Sequence, residues 1–405
     1  MGNTIKTLTA GDITRKALSI LHNKSAFIGT INREYDDRFA RSGAKNGGYL
    51  EIREPNQFTV RTGAVMDTQD VTETTQQLVL ATQKGVDINF SSAELTLSLD
   101  DFSDRILDPA MTRLAAEVEK TVIYGVYPYV YNFENTTFGT KPVLADVLSC
   151  RAKLQQGLAP MGDRYGLVDA LAANSIISDG KSLFHAASEI EKQYKEGALG
   201  RIASIDFMES EMTPVHTNGS RDDTTPVLDI ATVANGATTI TTTGADGTLK
   251  AGDVFTIADV YAVNPETKLP YPHLQQFAVT ADMTLDATDV IAITPTIYKS
   301  GAKQNVYAAT WSGSKALVFV AAGGSGTAST AYTNSLIYHK NAFTFVSADL
   351  ELPKGVDFAA REVYDGISLR VVRNFDIVND KFPCRIDVLL GYKAIRPEWA
   401  VRMCS

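Results

Sequence analysis

The chain has 405 residues, 44% of them hydrophobic, and a formal net charge of −9. That length is too great for one ordinary core, so two or three structural units are expected, and the hydrophobic share excludes a disordered chain. The acidic balance excludes a general nucleic-acid-wrapping surface, which needs net positive charge.

Taken in order, residues 1–47 read as an arm. Asp12 to Leu21 forms a short helix with Ile13, Ala17, Leu18 and Leu21 on one side and Asp12 as its cap. A helix of that length is marginal alone and must dock or stay mobile. Arg41–Gly48 is a Gly-rich joint. From Tyr49 the pattern turns to strand: Tyr49–Arg53 alternates, Pro55 ends it, and Phe58–Arg61 continues extended. Asp67–Gln77 lacks large apolar groups, and then Leu78–Leu80, Val86, Ile88 and Phe90 return with period two. The geometry is a long hairpin with a polar tip, whose edges invite pairing with a neighbour.

Asp108 and Pro109 start a helix. Leu107, Met111, Leu114, Val118 and Val122 place one apolar stripe along it, and Gly125 and Pro128 stop it after a rise of about 25 Å. On its own this is any core-packing helix. Pro142–Gln156 forms a second helix, with Thr140 as cap and Leu144, Val147, Leu148, Arg151 and Leu154 at helical spacing. Tyr165–Asp169 reads as a strand, Ser188–Glu196 as a third helix closed by Gly197, and Ile202–Met212 as extended.

Near His216 the composition shifts. Val/Ile/Thr-rich runs at Val227–Val233, Thr238–Thr243, Val254–Val260, Phe277–Thr280, Val290–Thr294 and Val306–Thr310 predict an inserted all-β barrel or sandwich. Gly323–Gly326 begins a linker back out. Ile337–Leu350 has strand character, Glu362–Asp376 predicts a strand pair turning at Asp365-Gly366, and Arg385–Leu390 predicts a further strand.

This order resembles the major capsid proteins of tailed bacteriophages, the HK97 fold, and most closely the coat-protein branch typified by Salmonella phage P22, which carries an inserted β-barrel. The residues that carry the resemblance are Gly252–Thr280 (GDVFTIADVYAVNPETKLPYPHLQQFAVT), Asn341–Ser347 with Leu352-Pro353, and Lys393–Trp399 (KAIRPEW), where Arg396, Pro397 and Glu398 match a C-terminal signature. The resemblance implies an α+β chain of the HK97 type with a long spine helix, an extended β-hairpin loop and an inserted all-β, barrel-like domain. Its divisions are a 1–47 arm, a 48–98 extended loop, a 99–127 spine, a 128–215 peripheral and axial part, a 216–333 insertion and a 334–405 return.

The implied function is self-assembly, as pentamers and hexamers, into an icosahedral head around double-stranded DNA. The implied partners are copies of the chain, a scaffolding protein and a portal. DNA is enclosed without strong sequence-specific binding, no membrane is involved, and the location is the virion after assembly in the bacterial cytoplasm. Contact residues are then expected on the hairpin stem (Phe58, Val60, Arg61), near its acidic tip (Asp67, Asp70, Glu73) and on a stiff loop from Tyr261 to His273 with Pro265, Pro270 and Pro272. A rim charge pair supplies at most about 1 kcal/mol, so assembly strength must come from repetition and buried apolar area. The alternative is a β-rich virion adhesin or receptor-binding protein whose 216–333 domain binds glycans.

No enzyme constellation, cofactor motif or metal site stands out. His22, His185, His216, His273 and His339 are scattered, without HExxH or Cys/His ligand spacing. Asp100, Asp101, Asp104 and Asp108 suit a helix N-terminus better than a cation. Gly323–Gly326 lacks the lysine of a phosphate loop, and the aromatics between Asn305 and Trp311 suit a β core better than a sugar platform. Cys150, Cys384 and Cys404 are odd in number and far apart, which fits a reducing compartment. No signal peptide or run of about 18 apolar residues is read.

Overall fold

A computed structural model of the chain describes residues 14–15, 17, 19, 21, 25–33, 49–66, 68–70, 73–91, 108–134, 140–180, 199–220, 226–244, 246–286, 288–319, 331–364 and 366–404. It divides into two compact units, Met1–Ile52 with Thr75–Val122 and Thr344–Lys393, and Arg53–Thr74 with Ile123–Phe343 and Ala394–Ser405. The architecture is mixed α+β, with few helices and many strands among the described residues.

The first unit is built on a sheet ordered Tyr49–Arg53, Thr75–Ser91, Lys381–Ala394, Ile367–Arg373, Phe358–Tyr364, with Phe343–Ala348 also joined to Lys381–Ala394. The expected hairpin exists, but not as a free ribbon. Its return strand is 17 residues long and pairs antiparallel with Lys381–Ala394, from Leu80↔Gly391 to Ser91↔Lys381. That pairing gives the return strand a partner within its own chain, while the five-residue strand Tyr49–Arg53 stands at the end of the sheet. Phe58–Arg61 lies in the connecting loop rather than in a strand.

The long helix spans Asp108–Val126. Met111, Leu114, Val118 and Val122 are buried along one stripe, as their spacing predicts. Asp108 is the first helical residue rather than the cap before it, and Gly125 lies inside the helix. Tyr127–Tyr129 then tightens into a 3-10 turn containing Pro128, so it is the proline, which has no N–H to donate, that ends the helix.

Glu119 on this helix is buried and accepts hydrogen bonds from the backbone N–H groups of Ala26 (3.2 Å) and Phe27 (2.9 Å). It therefore satisfies the first turn of the short helix Ala26–Thr30, whose Phe27 and Ile28 are buried. Of the helix expected over Asp12–Leu21, the described positions are helical; Ala17 and Leu21 are buried as expected, Thr14 is buried beside them, and Ile13 and Leu18 lie outside the described residues. The expected helix Ser188–Glu196, the linker Gly323–Gly326 and Asp365 lie outside the described residues.

The second unit contains a sheet ordered Phe133–Glu134, Ala400–Cys404, Ala331–His339, Arg164–Val168, Ile205–Glu209, Arg201–Ile202, with Val215–Thr217 added to Ala331–His339. The helix Leu144–Gln156 buries Val147, Cys150 and Leu154 in a core shared with Ile337, Val401 and Met403, while Leu148, assigned to the same stripe from sequence, is exposed. Its start is satisfied by Asp146, which accepts from Val143 N–H (2.8 Å), and by Asp179, which accepts from Leu144 N–H (3.0 Å). Thr140 is therefore not the cap. The helix Ala170–Gly180 and the final strand Ala400–Cys404 were not anticipated from sequence.

The β-rich segment closes on itself. Strands Pro270–Val279, Thr288–Ile297, Ala237–Thr243, Val227–Asp229, Ser314–Phe319 and Val254–Val263 follow one another, and the last pairs back to the first. This closed six-stranded barrel leaves no open edge among those strands. Its core is drawn from residues 228–317 alone, with Phe255 and Phe277 stacked at 5.7 Å in its centre. Between Asn305 and Trp311, Val306 and Ala308 enter that core, Trp311 packs against it, and Tyr307 is exposed.

Candidate assembly surface

The hairpin's connecting loop, Glu54–Thr74, is closed at its neck. Glu54 N–H donates to Thr74 O (2.9 Å), Thr74 Oγ1 donates to Glu54 Oε2 (2.8 Å), and Arg53 faces Glu73 at 3.5 Å. Farther out, Gln69 bridges the loop: its Oε1 accepts from Thr59 N–H (2.8 Å) and its Nε2 donates to Thr59 O (2.6 Å). Beyond that clasp Arg61 donates to the carbonyls of Gly63 and Val65. Arg61, an expected contact residue, thus also shapes its own loop.

What the tip offers outward is apolar. Phe58, Val60, Val65 and Met66 are 59, 96, 85 and 76% exposed. Four large apolar side chains on a loop organised by its own hydrogen bonds form a surface that burial would stabilise. Val65 and Met66 were not singled out from sequence, although they adjoin Gly63 in the same loop. Asp70 and Glu73 are exposed on the returning limb, and Asp67 lies outside the described residues.

The second expected surface is shorter than the sequence suggested. Tyr261–Val263 ends one barrel strand and Pro270–His273 begins the next, so the turn proper is 264–269. Asn264 Oδ1 accepts from Glu266 N–H (2.9 Å) and Thr267 N–H (3.0 Å), an Asx turn. Lys268, at φ +58°, sends its ammonium to Ala302 O (2.6 Å) and Gln304 O (3.4 Å). Burial pulls the Lys268 ammonium below the usual lysine range. Pro265 and Leu269 stand exposed on this turn, and Pro270 and Pro272 on the start of the strand after it.

The best-formed polar constellation is buried. His216 Nε2 lies 2.9 Å from Asp253 Oδ1 and its Nδ1 lies 3.1 Å from Tyr127 OH, while Asp253 Oδ2 accepts from Lys250 N–H (3.0 Å) and Gly219 N–H (3.3 Å). These residue types can perform acid–base chemistry, but His216 and Asp253 are closed to solvent and each polar atom is committed to a partner. The group is a fastening where the chain enters the barrel, and it explains His216 as a satisfied core histidine. No cluster of ligating side chains that could hold a metal occurs among the described residues. None of the described helices is long and apolar enough to cross a membrane.

The C-terminal signature is also a fastening. Trp399 Nε1 donates to Gly157 O (2.9 Å) at the end of the helix Leu144–Gln156, and the Arg396 guanidinium lies 4.2 Å from the Trp399 ring centroid. A Cβ on Gly157 would come within 2.6 Å of Glu398 O, so the close approach requires glycine there.

Residues 213–404, which hold the barrel and the closing strands, match the family model described as P22 coat protein, gene protein 5. Over this stretch, just under half of its length, the chain is similar to the P22 coat protein family. The matched family is one of structural coat proteins, which does not favour the adhesin alternative. No curated protein matches the chain. Solved structures similar to the chain include one from Mycobacterium phage Che8, at 14% identity and TM-score 0.49, covering 94% of this chain and 90% of that one. Others are the mature capsid of bacteriophage PhiM1, at 10% identity and TM-score 0.44 over 89% and 82%, and the capsid of Ralstonia phage GP4, at 7% identity and TM-score 0.43 over 94% and 91%.

Proposed function

We propose that the chain is the major capsid protein of a tailed bacteriophage, and that its copies assemble as pentamers and hexamers into the icosahedral head that encloses double-stranded DNA. The coat-protein family match, spanning the closed barrel and the closing strands, is the observation that carries this reading. In this reading Asp108–Val126 is the spine helix, residues 48–98 are the extended loop, residues 1–47 are the arm, and 216–333 is the insertion. The parts 128–215 and 334–405 supply the peripheral and axial regions. A scaffolding protein and a portal are the further partners, and assembly takes place in the bacterial cytoplasm before the protein resides in the virion.

The contact surface is the hairpin tip. Phe58, Val60, Val65 and Met66 supply apolar area, Asp70 and Glu73 supply rim charge, and Arg61 holds the loop in shape. The turn with Pro265 and the strand start with Pro270 and Pro272 supply a second, smaller contact. Each contact is weak alone, and closure of a shell multiplies it. The test is co-expression of the full chain with the scaffolding protein of its phage, followed by electron microscopy. Closed shells of uniform size are expected, and a chain that stays monomeric under all such conditions contradicts the reading.

A further inference from the structure

Lys303 lies in the barrel's 298–305 loop, far in sequence from the hairpin, yet its ammonium reaches the hairpin neck. Nζ is 3.2 Å from Thr74 Oγ1 and 3.9 Å from Glu54 Oε2. Those are the two residues that close the neck on each other. Lys303 therefore joins an existing knot instead of touching an isolated side chain.

The platform beneath it is stiff. Asn305 crosses the loop, its Oδ1 accepting from Tyr298 N–H (2.9 Å) and its Nδ2 donating to Thr296 O (2.7 Å). Lys268, from the neighbouring barrel turn, holds the carbonyls of Ala302 and Gln304, one on each side of Lys303. The compact unit that contains the barrel also takes in Arg53–Thr74, whereas the strand Thr75–Ser91 that follows belongs to the other unit. The neck is thus tied to the barrel of its own chain, and the apolar tip extends beyond the tie.

We propose that Lys303 is a positioning residue for assembly: it anchors the hairpin neck to the inserted barrel of the same subunit and so fixes the heading at which Phe58, Val60, Val65 and Met66 are presented to the next copy. A hairpin loop without that anchor samples many headings, and each intersubunit contact then carries the cost of ordering it. The anchor also links the two expected contact surfaces, because the turn with Pro265 supports, through Lys268, the loop that carries Lys303.

The inference rests on the assembly reading, and the experiment separates the two. Amide hydrogen exchange is measured on full-length soluble subunit for wild type, Lys303→Ala, Lys303→Arg and Glu54→Gln, and each is then tested for closed-shell yield under identical conditions. Exchange across 54–74 in Lys303→Ala and Glu54→Gln is expected to quicken roughly two- to fivefold, the change that an ion pair of this exposure commands, with the barrel core unaltered. Shell yield falls in both variants, and Lys303→Arg restores exchange and yield. Unchanged exchange overturns the anchor. Faster exchange with wild-type yield overturns its role in assembly. Wild-type subunit that never forms shells contradicts the capsid reading while leaving the exchange result to decide the anchor.

Discussion

At the scale of single residues, the most exacting site is Asp387. It is 1% exposed, accepts from Arg370 (2.7 Å) and Arg385 (2.8 Å), and lies over Gly85, where an added Cβ would come within 2.5 Å of its carboxylate. Burial pushes its carboxyl upward, but the hydrogen bonds from Arg370 and Arg385 outweigh this and hold it below the ordinary range. A depressed folded pKa contributes stability that is fully present above the ordinary Asp value of about 3.9 and is lost as pH falls through the lower, folded value. Asp387→Asn is expected to cost about 1–3 kcal/mol at neutral pH and to remove part of the acid-limb loss, read from urea midpoints against pH. A variant with the wild-type acid limb contradicts this assignment. Glu119 makes a second case: Glu119→Ala leaves the N–H groups of Ala26 and Phe27 without their acceptor and is expected to destabilise by about 1–3 kcal/mol in the same assay. Neither site was legible in the sequence, because each depends on partners brought together by the fold from distant positions.

At the scale of elements, legibility followed local pattern. The long helix was readable because Met111, Leu114, Val118 and Val122 repeat at helical spacing, and five of the six barrel strands because Val, Ile and Thr runs lie between turn residues, whereas the barrel strand Ser314–Phe319 was not read. The helix Ala170–Gly180 was missed because ALAANSIISDG mixes small, polar and β-branched residues without a marked stripe. The hairpin's second pairing was missed because register with Lys381–Ala394 is set across some 300 residues of chain. The Lys393–Trp399 motif was noticed by resemblance, but its work is physical: Trp399 ties down the carbonyl of Gly157. Trp399→Phe keeps an aromatic ring but loses that donor and part of the packed indole, so thermal unfolding of the variant is expected to show a loss of about 1 kcal/mol or more, and no loss would mean that the hydrogen bond is dispensable.

At the scale of the whole molecule, the inserted barrel carries its own apolar core, so a fragment spanning 216–333 is expected to fold alone and give dispersed amide NMR signals. A collapsed spectrum would mean that the fastening of His216 and Asp253 to Tyr127 is needed for its fold. In the hairpin loop, Phe58, Val60 and Arg61 were singled out from sequence as proposed contacts, whereas the exposure of Val65 and Met66 and the hydrogen bonds of Arg61 and Gln69 within the loop were not. The measurement that bears most directly on the account is sedimentation velocity of wild type beside a Phe58→Ser, Val60→Ser, Val65→Ser, Met66→Ser variant under assembly conditions. The wild-type chain should sediment as shells, and the variant as folded subunits with unchanged circular dichroism. Equal assembly of the two, or two chains that both remain monomers, would contradict it.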